Sequence, residues 1–436
     1  MAAMDGGANF SRTAACFLTL SLLILAHPEL ARALIVPPDP GGGPLFVEYV
    51  GGQFGNWSDA SNWRNENGNP QTPSGGDDIY LGLTSAGSNT TDNISSLNTS
   101  LLEFVSGGNS LTIIGGSLNV NVSGVRVGSG ASAVINVDGA GAQLSLFSLT
   151  DPTVGPEDIY LVFGGKLNLL SGNVTIGSLA CNSSGTVSLG GQELSVGTTN
   201  RSTTYSGTIE GSGGSIRLIG GTLALNNANT YTGGTTVNAG VLTVNNTSGS
   251  GTGTGAVSIT TNGQVVNNGT IGGNVSVSGL LSGCGTINGT LTVNLSGVVN
   301  FAGCAVTING AITNDGLFIL RNGATLTGSS SSFTNHGTLD ISTAGTFARP
   351  GFTNSGTIIT ASVIKAKSIQ KSGNTATVKI ASYTGHSYQL QRSTTSPSPA
   401  SFSDIGSPQQ GSTGTDLSFP DGTATGPRAF YRIVVN

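Results

Sequence analysis

The sequence of this 436-residue chain contains unusually little charge. Lys, Arg, Asp and Glu together make up 8% of the residues, whereas they make up about 25% of an ordinary globular domain. The formal net charge is −5, and the basic residues form no tract anywhere along the chain. A nucleic-acid partner requires a basic patch that neutralises phosphates, so the composition excludes that class of function.

Proline, histidine and cysteine are also scarce. The 15 prolines and the irregular spacing of the 69 glycines exclude a collagen triple helix. The three histidines lie beside no cysteine and no calcium-binding nonapeptide is present, so the sequence predicts neither a metal site nor a cofactor. We expect His336 and His386 to be turn and surface residues. Of the four cysteines, only Cys181, Cys284 and Cys304 would remain after removal of the N-terminal segment described next. An odd number argues against a full disulfide framework, so the stability of the fold must come from elsewhere.

One apolar run, residues 14–26, lies near the N-terminus. It is too short to cross a membrane, which requires about twenty apolar residues. Ala31 and Ala33 then place small side chains at the −3 and −1 positions of a signal-peptidase site. The sequence therefore predicts a signal peptide over 1–33, cleavage between Ala33 and Leu34, and export to the cell surface or beyond, with the periplasm as the alternative. No later stretch is long enough to span a membrane as a helix.

Short apolar alternations fill the middle of the chain, from about residue 111 to 359. In Leu194/Val196 and Leu291/Val293, for example, one polar residue separates two apolar ones, and Gly, Asn or Ser follows. This period of two residues is typical of β-strands that end in tight turns. No window shows the period of a helix, so we predict an all-β fold.

A longer period of about twenty residues overlies the alternation. The related strings ITNDGL, FTNHGTL and FTNSGTI begin at Ile312, Phe333 and Phe352. A unit of this length is typical of one coil of a β-solenoid, which buries its apolar face only by stacking on its neighbours. Stacking also explains the missing charge. Like charges at equivalent positions of coils about 4.8 Å apart would repel by about 0.9 kcal/mol even in water.

The domain organisation follows from these patterns. We predict a Pro/Gly-rich linker over 34–45, a cap and first coils over 46–110, a parallel β-helix over 111–364 and a separate β-module over 365–436.

The predicted C-terminal module differs from the rest of the mature chain in charge. Residues 365–436 contain seven basic and three acidic residues, whereas residues 34–364 contain seven basic and sixteen acidic ones. Four of the basic residues are Lys365, Lys367, Lys371 and Lys379. They suggest that the module helps to hold an anionic polymer of the cell envelope, although compositional drift would produce the same excess.

One segment carries a resemblance to a known family. Residues 221–246 read GTLALNNANTYTGGTTVNAGVLTVNN and resemble the autotransporter-associated β-strand repeat of large bacterial surface proteins. FGNWSDASNW, from Phe54, resembles the opening of exported solenoids from planctomycete and verrucomicrobial bacteria. The tail, GHSYQLQRST through GPRAFYRIVV, resembles a small all-β module that ends secreted proteins of the same groups. Together these resemblances imply a right-handed parallel β-helix followed by a β-sandwich-like module.

Autotransporters also carry a C-terminal membrane barrel. The 72 residues after Ile364 are too few to form one, so we expect that this chain does not translocate itself.

Asp138 and Asp158 are the weak catalytic candidates. A β-helix can serve as a polysaccharide lyase or hydrolase, and these residues lie twenty positions apart, as expected for neighbouring coils. Their carboxyl groups would then be about 5 Å apart, which is the separation in retaining glycosidases. The alternative is that both are solvated turn residues.

Cys284 and Cys304 have the same spacing of twenty. Stacked coils would place their Cα atoms close enough for a disulfide, whereas parallel side chains would favour a stack of free thiols. Both alternatives remain open.

Trp57 and Trp63 are the two tryptophans of the chain. If exposed, they would stack on sugar rings; if buried, they would cover the open end of the first coil, and their position favours the second role.

The sequence therefore predicts a non-enzymatic exported rod of the cell surface or extracellular matrix, with a role in adhesion or envelope structure. Its partner would be a surface or matrix polysaccharide. The alternatives are a polysaccharide-cleaving β-helix enzyme and a carbohydrate-binding protein.

Overall fold

The computed structural model describes residues 46–435, except for 52–53, 82–88, 106–107, 115, 128–131, 140, 147–156, 163, 183, 330–331, 346, 348, 350, 361–365, 384–385, 413 and 427. The predicted signal peptide with its Ala33/Leu34 cleavage site, the linker over 34–45 and Lys365 lie outside the described residues.

Short strands separated by turns build the first part of the described chain, together with a 3₁₀ helix at Ala60–Asn62. These strands are β1 (Phe46–Tyr49), β2 (Phe54–Asn56), β3 (Trp63–Asn65), β4 (Asp78–Leu81), β5 (Asn89–Asp92), β6 (Ser96–Phe104), β7 (Gly108–Ile114), β8 (Ser117–Val127), β9 (Ser132–Asp138), β10 (Gln143–Leu146), β11 (Glu157–Val162), β12 (Lys166–Leu169), β13 (Val174–Ile176), β14 (Ser178–Cys181), β15 (Thr186–Ser188), β16 (Glu193–Val196), β17 (Ser202–Tyr205) and β18 (Thr208–Glu210).

The same pattern continues to residue 359. The strands there are β19 (Ser215–Leu218), β20 (Thr222–Leu225), β21 (Gly234–Val244), β22 (Val257–Asn267), β23 (Thr270–Ile271), β24 (Val275–Val277), β25 (Leu280–Ser282), β26 (Thr286–Ile287), β27 (Leu291–Val293), β28 (Val298–Ala302), β29 (Ala305–Ile308), β30 (Ile312–Asn314), β31 (Leu317–Arg321), β32 (Thr325–Thr327), β33 (Phe333–Asn335), β34 (Thr338–Asp340), β35 (Phe352–Asn354) and β36 (Thr357–Ile359).

These strands stack in parallel to form a β-solenoid. One sheet has the order β18-β15-β12-β10-β8-β6-β4-β1-β3, in which only the terminal β1–β3 pair is antiparallel. A second sheet extends from β2 to β36, and a third contains β23-β26-β29-β32. Apart from β3, which pairs with β1, each strand pairs with a strand one coil away along the chain. The predicted parallel β-solenoid is thus confirmed.

The register places the same kind of residue at the same position in successive coils. One inward-facing column is fully buried and consists of Leu223, Leu242, Val265, Leu281, Val299, Phe318 and Leu339. The two-residue alternation produces this column, because every second side chain of a strand points inward. Full burial of such a side chain contributes about 1.5–3 kcal/mol, and the stacked columns form one continuous core along the solenoid.

Glycine allows neighbouring coils to approach closely at the turns. Gly240 has a φ of +81°, and a Cβ atom there would lie 2.3 Å from the carbonyl oxygen of Gly221 on the neighbouring coil. Any larger residue would strain the backbone and separate the two coils.

The remaining strands form a sandwich-like C-terminal module, with a 3₁₀ helix at Pro399–Ser401. They are β37 (Ala366–Ser372), β38 (Thr375–Ala381), β39 (Ser387–Ser393), β40 (Ser403–Gln410), β41 (Asp416–Asp421) and β42 (Phe430–Val435). Two antiparallel three-stranded sheets, β37-β38-β41 and β40-β39-β42, enclose a core of Val378, Ile380, Tyr388, Leu390 and Phe419. The module predicted after the solenoid is therefore present.

Candidate functional surfaces

The proposed carboxylate pair, Asp138 and Asp158, does not come together, so this prediction is wrong. Asp138 ends β9 and pairs with Val162, which lies four residues beyond Asp158 along β11. At about 3.3 Å per residue, the two backbone positions are displaced by about 13 Å along the strands. Glycosidases hold their two carboxyl groups about 5–9.5 Å apart, so the register does not place these residues as an acid–base pair.

Asp158 instead belongs to a structural ion pair. Its carboxylate is buried and accepts hydrogen bonds from Arg201 Nε at 2.6 Å and from Thr199 Oγ1 at 3.0 Å. A carboxylate with this geometry is held by its partners and is not directed towards a substrate. Its contacts connect the strand β11 to the turn that precedes β17.

The two tryptophans are fully buried in the first coils. Trp57 and Trp63 pack edge to face with ring centroids 5.2 Å apart, and Trp63 packs in the same way on Tyr49 at 5.3 Å. Neither indole presents a face to solvent, so a role in stacking on sugars is wrong. The rings contribute to the hydrophobic core at this end of the solenoid, as predicted for a cover of the first coil.

Cys284 and Cys304 form a disulfide that connects neighbouring coils, with a Cα–Cα distance of 5.8 Å. The structure thus selects the bridge over the alternative of two stacked thiols. Cys181 is a buried free thiol.

The two histidines occupy different environments. His336 is half exposed, and its Nδ1 lies 2.7 Å from Asp315 Oδ1, as expected for a surface residue. His386 is 2% exposed, so its prediction as a surface residue is wrong. Its Nε2 donates to the buried carboxylate of Asp340 on the solenoid. This contact connects the C-terminal module to β34.

Asp340 lies at the centre of this junction. Burial acts to raise the pKa of its carboxyl group, but hydrogen bonds from His386 and from the Ser342 amide and hydroxyl outweigh it and hold the pKa below its ordinary value. His386 Nδ1 is buried and has no hydrogen-bond partner among the described residues.

The outward positions of the solenoid carry hydroxyl groups in register. We use the name hydroxyl column for seven such residues on successive coils, none of which is buried. They are Thr236, Ser258, Ser276, Thr292, Thr313, Thr334 and Thr353. The strand spacing puts them about 4.8 Å apart. A shorter column, from Thr270 through Thr286 and Thr307 to Thr327, runs along the third sheet.

Asparagine side chains form hydrogen-bonded ladders between coils. In the more buried ladder, Asn314 and Asn335 are fully buried and Asn354 is exposed. Asn314 Nδ2 donates to Asn335 Oδ1 at 2.7 Å, and Asn335 Nδ2 donates to Asn354 Oδ1 at 2.6 Å. A more exposed ladder has the same pattern and consists of Asn226, Asn245 and Asn268. These contacts satisfy polar groups without adding charge, which fits the composition of the chain.

The described residues contain neither a metal-binding cluster nor a membrane-spanning helix. No group of three or more His, Cys, Asp or Glu side chains is arranged to hold a metal ion. No helix in this part of the chain has the length and apolar composition needed to cross a membrane.

Comparison with known proteins identifies one repeat. Residues 220–244, which contain β20 and β21, match the family described as passenger-associated-transport-repeat. This range overlaps almost all of the predicted repeat at 221–246. No curated protein and no solved structure matches the chain. The chain therefore carries a passenger-type repeat within a parallel β-solenoid, and the repeat covers a small part of its length.

Proposed function

We propose that this chain is an exported, non-enzymatic rod that functions in adhesion or in the structure of the cell envelope or matrix. The passenger-type repeat supports export, because repeats of this description are named for the transported part of surface proteins. The catalytic alternative relied on Asp138 and Asp158, which the register separates.

The hydroxyl column is the observation that carries the proposal. Each Thr or Ser side chain can donate and accept a hydrogen bond, and a single bond of this kind contributes about 0.5–1.5 kcal/mol. Seven groups in a straight line add many weak contacts without a charged residue. Such a surface suits a neutral, repetitive polysaccharide that lies along the solenoid axis.

The location of the protein tests its role. Intact producing cells would be treated with an external protease, and the loss of the chain would be followed by immunoblot, with a periplasmic enzyme as the control for leakage. We expect the chain to be cleaved while the control enzyme remains intact. A chain found entirely in the periplasm would contradict adhesion.

Retention of the protein by insoluble polysaccharide tests whether the hydroxyl column is the binding surface. Replacement of Thr292, Thr313 and Thr334 by Ala removes the centre of the hydroxyl column, and replacement of Thr270, Thr286 and Thr307 by Ala provides a matched control on another sheet. We expect the first triple variant to lose at least threefold in retention and the second to bind as the wild type does. Equal losses would show that the hydroxyl column is not the binding surface.

A further inference from the structure

A cavity of about 150 Å³ lies in the C-terminal module, where the strands β37, β39 and β42 come together. Its polar and charged lining residues include Lys371, Arg392, Arg428, Tyr431, Thr394 and Thr423. The first three are basic and come from three different segments of the chain. No acidic residue contributes to the lining.

One of the three basic residues, Arg392, forms an ion pair with the carboxylate of Asp421, which does not line the cavity. Arg392 Nη1 donates to Asp421 Oδ2 and to Thr423 Oγ1, both at 2.7 Å, and Asp421 is 1% exposed. Tyr431 also donates its hydroxyl to Asp421 at 2.8 Å. These contacts fix the guanidinium of Arg392 in one orientation at the wall of the cavity.

The other two cations remain available to a ligand. Lys371 Nζ makes one hydrogen bond, to the carbonyl oxygen of Gly426 at 3.3 Å. Arg428 is exposed and forms no ion pair or hydrogen bond with another described residue. The cavity therefore presents two uncompensated positive charges, and clefts lined by charge of one sign concentrate ions of the opposite sign.

The volume of the cavity and the chemistry of its lining indicate which kind of ligand would fit. A cavity of about 150 Å³ holds a single six-membered ring. The hydroxyl group of Thr394 provides a hydrogen-bonding partner at the wall, while Ile369 and Ala376 contribute aliphatic surface. A pyranose has the same combination, with polar edges and apolar faces. A carboxylate on such a ring would pair with Arg428 and Lys371.

We propose that this cavity binds one acidic sugar unit, a pyranose that carries a carboxylate, within an anionic polysaccharide. The site would attach the C-terminal module to a charged glycan independently of whatever the hydroxyl column contacts.

Two other lysines of the module, Lys367 and Lys379, do not line the cavity. Lys367 forms an ion pair with Asp416 at 2.5 Å. Lys379 is exposed on β38, between the inward-facing residues Val378 and Ile380, and does not line the cavity. Three of the seven basic residues of the module, Lys371, Arg392 and Arg428, thus line this one cavity.

Binding of defined saccharides to the full chain tests the proposal. The probe is an oligomer of galacturonic acid, measured by calorimetry at low salt, and its methyl ester supplies the same ring without charge. We expect the acid to bind and the ester to bind at least tenfold more weakly. Lys371→Gln and Arg428→Gln should each weaken binding of the acid at least fivefold. Lys379→Gln, which removes the same charge from another surface, should change it less than twofold.

Each other outcome overturns the proposal. Equal losses in all three variants would mean diffuse electrostatic attraction, and equal binding of acid and ester would remove the role of the carboxylate. Binding of dodecanoate in place of the sugar would assign the adjoining groove, which is lined by Ile369, Ile380 and Val435, to an acyl chain. The absence of binding to any probe would contradict the site directly. Because Lys371 and Arg428 are exposed, the variants should unfold at the wild-type temperature, which serves as the folding control.

Discussion

His386 Nε2 donates a hydrogen bond to Asp340 Oδ2, and both side chains are at least 98% buried between the C-terminal module and the solenoid. The contact joins two parts of the chain that are 46 residues apart. Removal of one partner would leave the other buried without a partner, which is costly in a nonpolar environment.

Asp340→Asn replaces one of the two acceptor oxygens by an NH2 donor, so either His386 or Ser342 loses its acceptor. We expect this change to lower the free energy of unfolding by about 2 kcal/mol at pH 7. Asp315→Asn breaks the half-exposed contact with His336 and serves as the control, with an expected loss below about 1 kcal/mol.

The pKa of Asp340 lies below that of an unfolded aspartate. Its contribution is therefore complete above about pH 4 and disappears as the pH falls through the lower folded value. Denaturant unfolding at pH 7 and pH 3 should show the difference from the wild type shrinking at pH 3. An equal loss at both values would contradict the shifted pKa.

The pKa of the buried carboxyl group of Asp92 is raised, whereas that of Asp340 is lowered. Burial raises the pKa of Asp92 to about 6, and the one opposing contact is the hydrogen bond from the Ile94 amide. Since the native state holds the proton more tightly than the unfolded state, Asp92 reduces stability as the pH rises from about 4 to 6. At pH 7 this penalty is about 3 kcal/mol. Asn at this position avoids ionisation but buries an amide, which costs about 1–2 kcal/mol. We therefore expect Asp92→Asn to gain about 1 kcal/mol at pH 7 and to lose stability at pH 4. A loss at both values would contradict the prediction.

The two asparagine ladders allow the effect of burial to be measured. Asn335→Ala removes the middle of the more buried ladder and takes one amide hydrogen bond from the buried Asn314 and one from the exposed Asn354. We expect a loss of about 1–3 kcal/mol, because the abandoned amide of Asn314 is buried, whereas water can replace the partner that the exposed Asn354 loses. Asn245→Ala makes the same change in the ladder nearer the surface, where water replaces the missing partner, and should cost less than about 1 kcal/mol. Urea unfolding measures the free energy of unfolding of both variants. Equal losses in the two variants would show that burial of the amides does not contribute to stability.

The disulfide should stabilise the solenoid by restricting the unfolded chain. Cys284 and Cys304 close a loop of about twenty residues, for which we expect about 3 kcal/mol. The measurement compares unfolding of the double variant Cys284→Ser/Cys304→Ser with that of the wild type. In the native wild type under non-reducing conditions, a thiol reagent should label no cysteine of the described chain, since Cys181 is buried. Labelling of Cys284 or Cys304 would show that the bridge is absent.

The same sequence spacing led to one correct and one wrong expectation, and the local length of the coil explains both. Cys284 and Cys304 are twenty residues apart and meet across neighbouring coils. Asp138 and Asp158 are also twenty apart, but the coil between β9 and β11 is longer, so Asp138 pairs with Val162. A repeat with variable turns predicts that residues lie on neighbouring coils, whereas the register depends on turn lengths that the repeat alone does not reveal.

Strand alternation was the more dependable signal, because it depends on the side chains of one strand alone. The pairs Leu194/Val196 and Leu291/Val293 are buried as the pattern predicts. For the cavity, the excess of basic residues indicated the module and Lys371, but nothing in the sequence connected Lys371 with Arg392 and Arg428. These residues come from three segments of the module, and they meet only when the two sheets pack.

The parallel register has a consequence for how the length of this protein can change. Each coil presents to the next the same row of backbone amides and the same inward column that it receives from the previous one. Duplication or deletion of one whole coil would therefore leave both neighbouring coils with a matching surface. It would change only the length of the solenoid. Gains and losses within the strands should accordingly be tolerated in steps of one full winding, whereas single residues can be added or removed in the turns, whose length already differs between coils.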